Sequence, residues 1–207
     1  MSNIYIQIGA GAGDLDSRVN FRDGFSELIK KLDSSTIDRI LLVEPNPVNI
    51  PNLKECWKDY PQVEIYEVGI CLKSSTEKSI TFYYVDEDAP HFQVFSMKPE
   101  HVRYHYPTEE IKSKIVECTT LEDFLNKTVG NGTVVEVLAL DIEGIDAEVV
   151  LENDWNTINC KYLSIEHLHL REKAQSVVER LVSAGYQPNG NGIDPHGYDW
   201  SFIKNFN

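Results

Sequence analysis

Three groups of residues have types and spacings suited to chemistry. The first is Gly9-x-Gly11-x-Gly13, followed downstream by Glu44 at the end of an apolar run. Glycines let a backbone approach a ligand closely, and an acid at a strand tip can accept both hydroxyls of a ribose. Together they point to an adenosine-type cofactor. A dinucleotide fingerprint would need a small residue where Asp14 stands, and a carboxylate there would repel a pyrophosphate. A cofactor with an ammonium and a sulfonium and no phosphate tolerates that acid, which points to S-adenosylmethionine. The second group is Asp141 and Glu143 in Leu140-Asp141-Ile142-Glu143-Gly144. Strand alternation gives these two carboxylates a common orientation, from which they could orient a substrate, hold a cofactor amine, accept a proton, or only cap the next helix. The third is His167, which ends another apolar run and is a candidate general base because imidazole in general ionises near neutral pH; a plain hydrogen-bonded histidine is the alternative.

The elements that must position these residues are legible as alternating strands and helices. Ile4–Ile8 reads as a buried strand entering the glycine turn, and Phe25, Leu28, Ile29 and Leu32 recur at helical spacing. Ile40–Val43 is a second strand, 48–59 a helix with Pro51 in its first turn, and Val63–Ile70 a third strand. Residues 71–117, with β-type composition at Ser79–Val85 and Gln93–Met97, are expected to form a hairpin or lid on the core. Thr119 is the expected N-cap of a helix over 120–127. Val134–Leu140 is a strand, Asp146–Glu152 a short helix, Tyr162–Glu166 a strand, and 172–184 a helix stopped by Gly185, with Val177, Val178, Leu181 and Val182 as its stripe. Asp199–Lys204 closes the chain as an antiparallel strand beside a short one near Tyr186. This alternation predicts a doubly wound α/β fold in one domain over 1–207, with ligands at the carboxyl ends of the strands.

Composition excludes several partners. The 19 basic and 33 acidic residues give a formal charge of -14, which opposes nucleic acid and anionic membranes. No apolar run approaches the ~18 residues that span a bilayer, and nothing at Met1-Ser2-Asn3 marks export, so a soluble cytoplasmic protein is expected. Cys56, Cys71, Cys118 and Cys160 are scattered and read as reduced, packed thiols. His101 and His105 stand four apart, as helical metal ligands would. Flanking Pro99 and Pro107 and the lack of an evident third ligand favour a structural or surface role. Asp141 with Glu166 or His167 could hold a divalent cation, but strand-tip acids serve many other roles, so metal dependence stays open.

The segments Ile8–Asp14, Val43-Glu44-Pro45-Asn46-Pro47, Leu121-Glu122-Asp123-Phe124, Leu140–Gly144 and Ile165-Glu166-His167 occur in order. In them the chain resembles the FkbM family of S-adenosylmethionine-dependent methyltransferases, from Ile4 to about Lys204 and least between Cys71 and Val116. The resemblance implies a mostly parallel seven-stranded sheet of the Rossmann-like class I methyltransferase type, and O-methylation of a hydroxyl on a sugar, glycan or small molecule. It implies a cofactor held by Gln7, Gly9, Ala10, Gly11, Gly13, Asp14, Glu44, Pro45, Asn46 and Asp141, with Gly69 and Ile70 at the end of the third strand completing the set. Asp141, Glu143 and His167 are the expected catalytic residues. Family members often carry an acid in place of Gln7 and an asparagine in place of Gly11, which implies less charge complementarity here. The stretch from Asp16 to Gly24 reads as an extra loop, in which Phe21, Arg22 and Asp23 either cover the cofactor or are solvated. A nicotinamide-dependent reductase and a non-catalytic adenosine-binding module are the alternatives. Asp14 and the lack of a Tyr-x-x-x-Lys pair oppose the first.

Overall fold

A computed structural model of the chain describes residues 2–15, 22–85, 94–142 and 144–206. Strand β1 (Ile4–Ile8) lies inside a seven-stranded sheet. On one side it pairs in parallel with β2 (Arg39–Val43), which pairs with β3 (Val63–Tyr66). On the other it pairs in parallel with β7 (Val135–Leu140), then β8 (Cys160–Glu166). Antiparallel β10 (Asp199–Ile203) and β9 (Gln187–Asn191) complete the order β3-β2-β1-β7-β8-β10-β9. The chain winds outward from β1 to β3 and returns to β7, so the order reverses between β1 and β7. A crevice at the strands' carboxyl ends opens at such a reversal.

Period-two alternation divides the core into two layers. Ile4, Ile6, Ile8, Leu41, Val43, Leu138 and Leu140 face helices α4 (Leu121–Thr128), α5 (Asp146–Glu152) and α6 (Ala174–Ser183). Ile40, Leu42, Val137 and Ala139 face α1 (Gly24–Lys30) and α2 (Ile50–Cys56), where Phe25, Ile29, Leu53 and Trp57 are buried. Each valine, leucine, isoleucine or phenylalanine among them contributes about 1.5–3 kcal/mol by leaving water. Caps fix the helix starts: Asp23 accepts the Ser26 N–H at 2.8 Å at the head of α1, and Pro51 sits in the first turn of α2. Gly185, at φ +90°, ends the last helix. Of the four-residue stripe on α6, Val177 and Leu181 are buried and Val182 is 48 % exposed, so the apolar face is narrower than its sequence pattern.

Two expected boundaries are corrected. Val63–Ile70 is not one strand: β3 ends at Tyr66, and β4 (Gly69–Cys71) leaves the main sheet to pair with β6 (Lys112–Thr120), which also pairs antiparallel with β5 (Ser79–Tyr84). A Cβ on Gly69 would stand 2.7 Å from Cys118 Sγ and 3.0 Å from Phe82 Cζ, so any side chain at this close crossing would push Cys118 or Phe82 aside. The cap of α4 is Thr120 rather than Thr119; its hydroxyl accepts the Asp123 N–H at 3.1 Å, while Thr119 is still paired with Ile70 in the strand. Against the three-stranded sheet packs α3 (Pro99–His105), whose Val102, with Tyr106 beyond it, meets Val85 and Val94. Gln93, at the start of one expected β-type stretch, lies outside the described residues; Ser96 within that stretch bridges Tyr83.

Candidate active site

The glycine turn after β1 is built for closeness. Gly9, Gly11 and Gly13 have φ of +81°, +55° and +64°, and a Cβ on Gly9 would stand 1.8 Å from the carbonyl oxygen of Asp141. The tips of β1, β2 and β7 are laced together, since Gly9 N and Ala10 N donate to Val43 O, and Asp141 N donates to Ile8 O. Glu44, at the tip of β2 and only 4 % exposed, organises both loops. One carboxylate oxygen accepts the Gly11 N–H at 2.7 Å; the other accepts the Asn46 N–H at 2.7 Å and Asn49 Nδ2 at 3.4 Å. Asn46 in turn accepts the Val48 N–H at 3.1 Å, which folds Glu44-Pro45-Asn46-Pro47 into a turn before α2.

These tips border a cleft of about 290 Å³. Of the residues expected from sequence, Gln7, Gly9, Ala10, Gly11, Gly13, Glu44, Pro45, Ile70 and Asp141 line it. Asp14, Asn46, Gly69 and His167 are not among its lining residues. Asp14 sits behind the glycine turn, paired with Lys30 at 3.0 Å and accepting the Asp23 N–H at 3.1 Å. His167 Nε2 lies 3.1 Å from the Gly197 carbonyl oxygen, and its ring stacks on Trp200. Glu143 and Phe21 lie outside the described residues. Arg22 is paired with Glu27 on α1, whereas Asp23 lines the cleft.

The cleft is acidic. Among the described residues six carboxylates line it, from Asp23, Glu44, Asp141, Glu166, Asp194 and Asp199, and no lysine or arginine does. Such a surface suits a cation and opposes a chain of phosphates. Asp141 is exposed at the tip of β7. Burial raises the Asp23 and Asp199 carboxyls above the usual range, against the lowering effect of their bonds to Ser26 and Ser164. Asp199 Oδ2 accepts the Ser164 hydroxyl at 2.6 Å, and Ser164 Oγ accepts the Ile193 N–H at 3.0 Å, fixing the loop that brings Asp194 to the cleft. Gln7 is 7 % exposed; its amide nitrogen donates to Asp23 at 2.9 Å, and its Oε1 is a buried acceptor without a donor among the described residues. An ammonium group would supply that donor. The donor set therefore fits S-adenosylmethionine: Gln7 and Asp23 for its amine, Glu44 for its ribose, the glycine turn for close backbone approach.

Sequence reasoning missed Asp199, Asp194 and His169 and favoured a structural or surface role for His105, and all four border the cleft. Register places Asp199 opposite Glu166, information that composition does not carry. It also missed Asp146, which is buried and accepts the Ile142 N–H at 2.9 Å, closing the loop after β7.

The parallel sheet with its reversal, helices on both faces and a glycine turn beside an acid-tipped second strand define a Rossmann-like class I methyltransferase fold. Residues 7–188 match the Methyltransferase FkbM domain, and the chain belongs to that family. A solved FkbM methyltransferase from Methylobacillus flagellatus is similar in fold, with TM-score 0.54 at 14 % identity over 98 % of this chain. The METTL16 methyltransferase domain is similar with TM-score 0.50 at 9 % identity over 100 % of this chain. The alignments span 43 % of the first structure and 61 % of the second. Comparison with curated protein sequences gives no match. No helix among the described residues is long and apolar enough to cross a membrane.

Proposed function

We infer that this chain is an S-adenosylmethionine-dependent methyltransferase that methylates a hydroxyl oxygen on a small-molecule or glycan acceptor. The observation that carries the reading is the cleft at the β1–β7 reversal, lined among the described residues by six carboxylates and no lysine or arginine, in a chain of the FkbM family. When bound, S-adenosylmethionine supplies an electrophilic methyl group on a sulfonium. The protein's part is to bind, align and remove a proton. Glu44 and the glycine turn hold the adenosine end; Gln7 and Asp23 hold the amine. Asp141 is the proposed base, because its carboxylate is exposed at the cleft wall where an acceptor hydroxyl enters, whereas His167 is turned to Gly197. Phe82 and Phe95, stacked at 4.8 Å between ring centroids, give the acceptor side an apolar wall that excludes water. The charge of -14 supports an uncharged or cationic acceptor over nucleic acid. Calorimetric binding of S-adenosylmethionine, S-adenosylhomocysteine and NAD, followed by tritiated methyl transfer to fractionated small-molecule and glycan extracts, tests the reading. Binding of NAD alone refutes it, and tight cofactor binding without transfer to any fraction leaves a non-catalytic binding module.

A further inference from the structure

Three histidines from two distant parts of the chain converge beside the cleft. His101 and His105 stand one turn apart on α3 and project from the same side of that helix. His169 comes from the loop after β8 and brings the third ring between α3 and the strand tips. Ring centroids are 4.9 Å apart for His101 and His105, 4.7 Å for His101 and His169, and 6.4 Å for His105 and His169. One nitrogen from each ring can be chosen so that all three lie within 4.8 Å of one another. All three side chains are half-buried. His105 and His169 line the cleft together with Glu166, whose Oε1 is 3.7 Å from His169 Nε2.

We propose that His101, His105 and His169 form a binding site for Zn²⁺ or a similar first-row divalent cation, with one coordination position open toward the acceptor end of the cleft. Imidazoles at i and i+4 with a third from elsewhere are a donor set that such cations accept, and three protein ligands with a free fourth position mark zinc sites that do chemistry. Zn–N bonds of about 2.0–2.1 Å in a tetrahedron place ligand nitrogens about 3.4 Å apart. The rings therefore need to close by no more than about 1.4 Å, a small side-chain rotation. Glu166 stands where a carboxylate can accept the second ring N–H of His169, fixing its orientation and raising its basicity as a ligand. Three neutral imidazoles leave the dication's charge intact, so an oxygen donor in the open position has its pKa lowered. The cleft acids raise the local cation concentration, and the nearby Lys98 and Lys173 are drawn toward Glu148, at 3.8 and 2.7 Å. The ligand for the open position is a hydroxyl, such as that of an alcohol or vicinal diol. This role for the cation rests on the methyl-transfer reading; the metal site itself does not.

The test uses the full chain, stripped with chelator and titrated with Co²⁺ as a spectroscopic stand-in for Zn²⁺. Expected is one equivalent bound, with the intense visible d–d bands of four-coordinate Co²⁺, displaced by Zn²⁺. His101→Ala and His169→Ala should each weaken binding by at least about 100-fold, and Glu166→Gln by about 10–100-fold, as outer carboxylates do. His101→Gln serves where the alanine variant does not fold. S-adenosylmethionine affinity, measured in parallel, should be unchanged in His101→Ala, because His101 is not among the cleft's lining residues. Absence of saturable binding, weak six-coordinate bands, or equal affinity in folded His101 and His169 variants overturns the site. A metal bound by the three histidines in a protein that does not bind S-adenosylmethionine supports the site and overturns its role toward the acceptor.

Discussion

Replacing Glu44 by glutamine exchanges one carboxylate oxygen for an NH₂ group that must face a backbone donor. The native carboxylate accepts the Gly11 and Asn46 N–H groups at 2.7 Å each while only 4 % exposed. In Glu44→Gln one of these N–H groups faces an amide donor, and the other bond loses its charge assistance. Losing a hydrogen bond to a charged group costs about 1.5–3 kcal/mol, and the orphaned N–H keeps its desolvation penalty. For a chain of this size that lowers Tm by roughly 3–12 °C. If the same carboxylate holds the ribose hydroxyls, S-adenosylmethionine affinity falls by about tenfold to 150-fold. Glu44→Ala is the harsher variant: it removes the acceptor from both N–H groups, so it perturbs the turn as well as the ligand contact. The assay pairs thermal unfolding of the free protein with calorimetry on variants confirmed as folded at the titration temperature. A lowered Tm with unchanged affinity would show that Glu44 only ties the two loops together, and would refute its assignment to the ribose.

Four further outcomes follow from the same geometry. S-adenosylmethionine, and not NAD, should raise Tm in proportion to the logarithm of its concentration; stabilisation by NAD alone sinks the cofactor assignment. Asp141→Asn should keep cofactor affinity within a few fold and lower turnover by about 100-fold or more, with the deficit shrinking for acceptors of lower hydroxyl pKa; full turnover removes Asp141 as the base. Gly9→Ala puts a methyl group 1.8 Å from the Asp141 carbonyl oxygen at φ +81°, so denaturant unfolding should register a loss well above about 1 kcal/mol, together with loss of cofactor binding. Burial raises the Asp199 carboxyl, so the neutral acid is the form the fold favours. Its contribution to stability is fully present below the ordinary value of 3.8 and is lost as pH rises through the higher folded value. Asp199→Asn should flatten that segment of the stability–pH curve, and an unaltered curve refutes the assignment.

The sequence alone determined the sheet and the residues at the carboxyl tips of its first two strands, because both rest on local signals. β-branched runs such as Ile4–Ile8 and Ile40–Val43 are buried on both faces, so they read as strands whatever surrounds them. The glycine turn and Glu44 follow those strands directly, and their place at the carboxyl edge comes from chain direction. Where neighbours decided, local pattern was insufficient. Val63–Ile70 is rich in β-forming residues, yet β6 draws Gly69–Cys71 into another sheet, and Gly69 marks the crossing only once Cys118 and Phe82 are seen against it. His167 stood out in sequence by its place at a strand tip, but the turn after β8 directs His169 to the cleft and His167 to Gly197. Asp199 reached the cleft through antiparallel register with Glu166, and His101 and His105 found a third histidine 64 residues beyond the second through tertiary packing. Period and propensity act over a few residues, whereas register, loop direction and the convergence of distant side chains are set by which surfaces pack together.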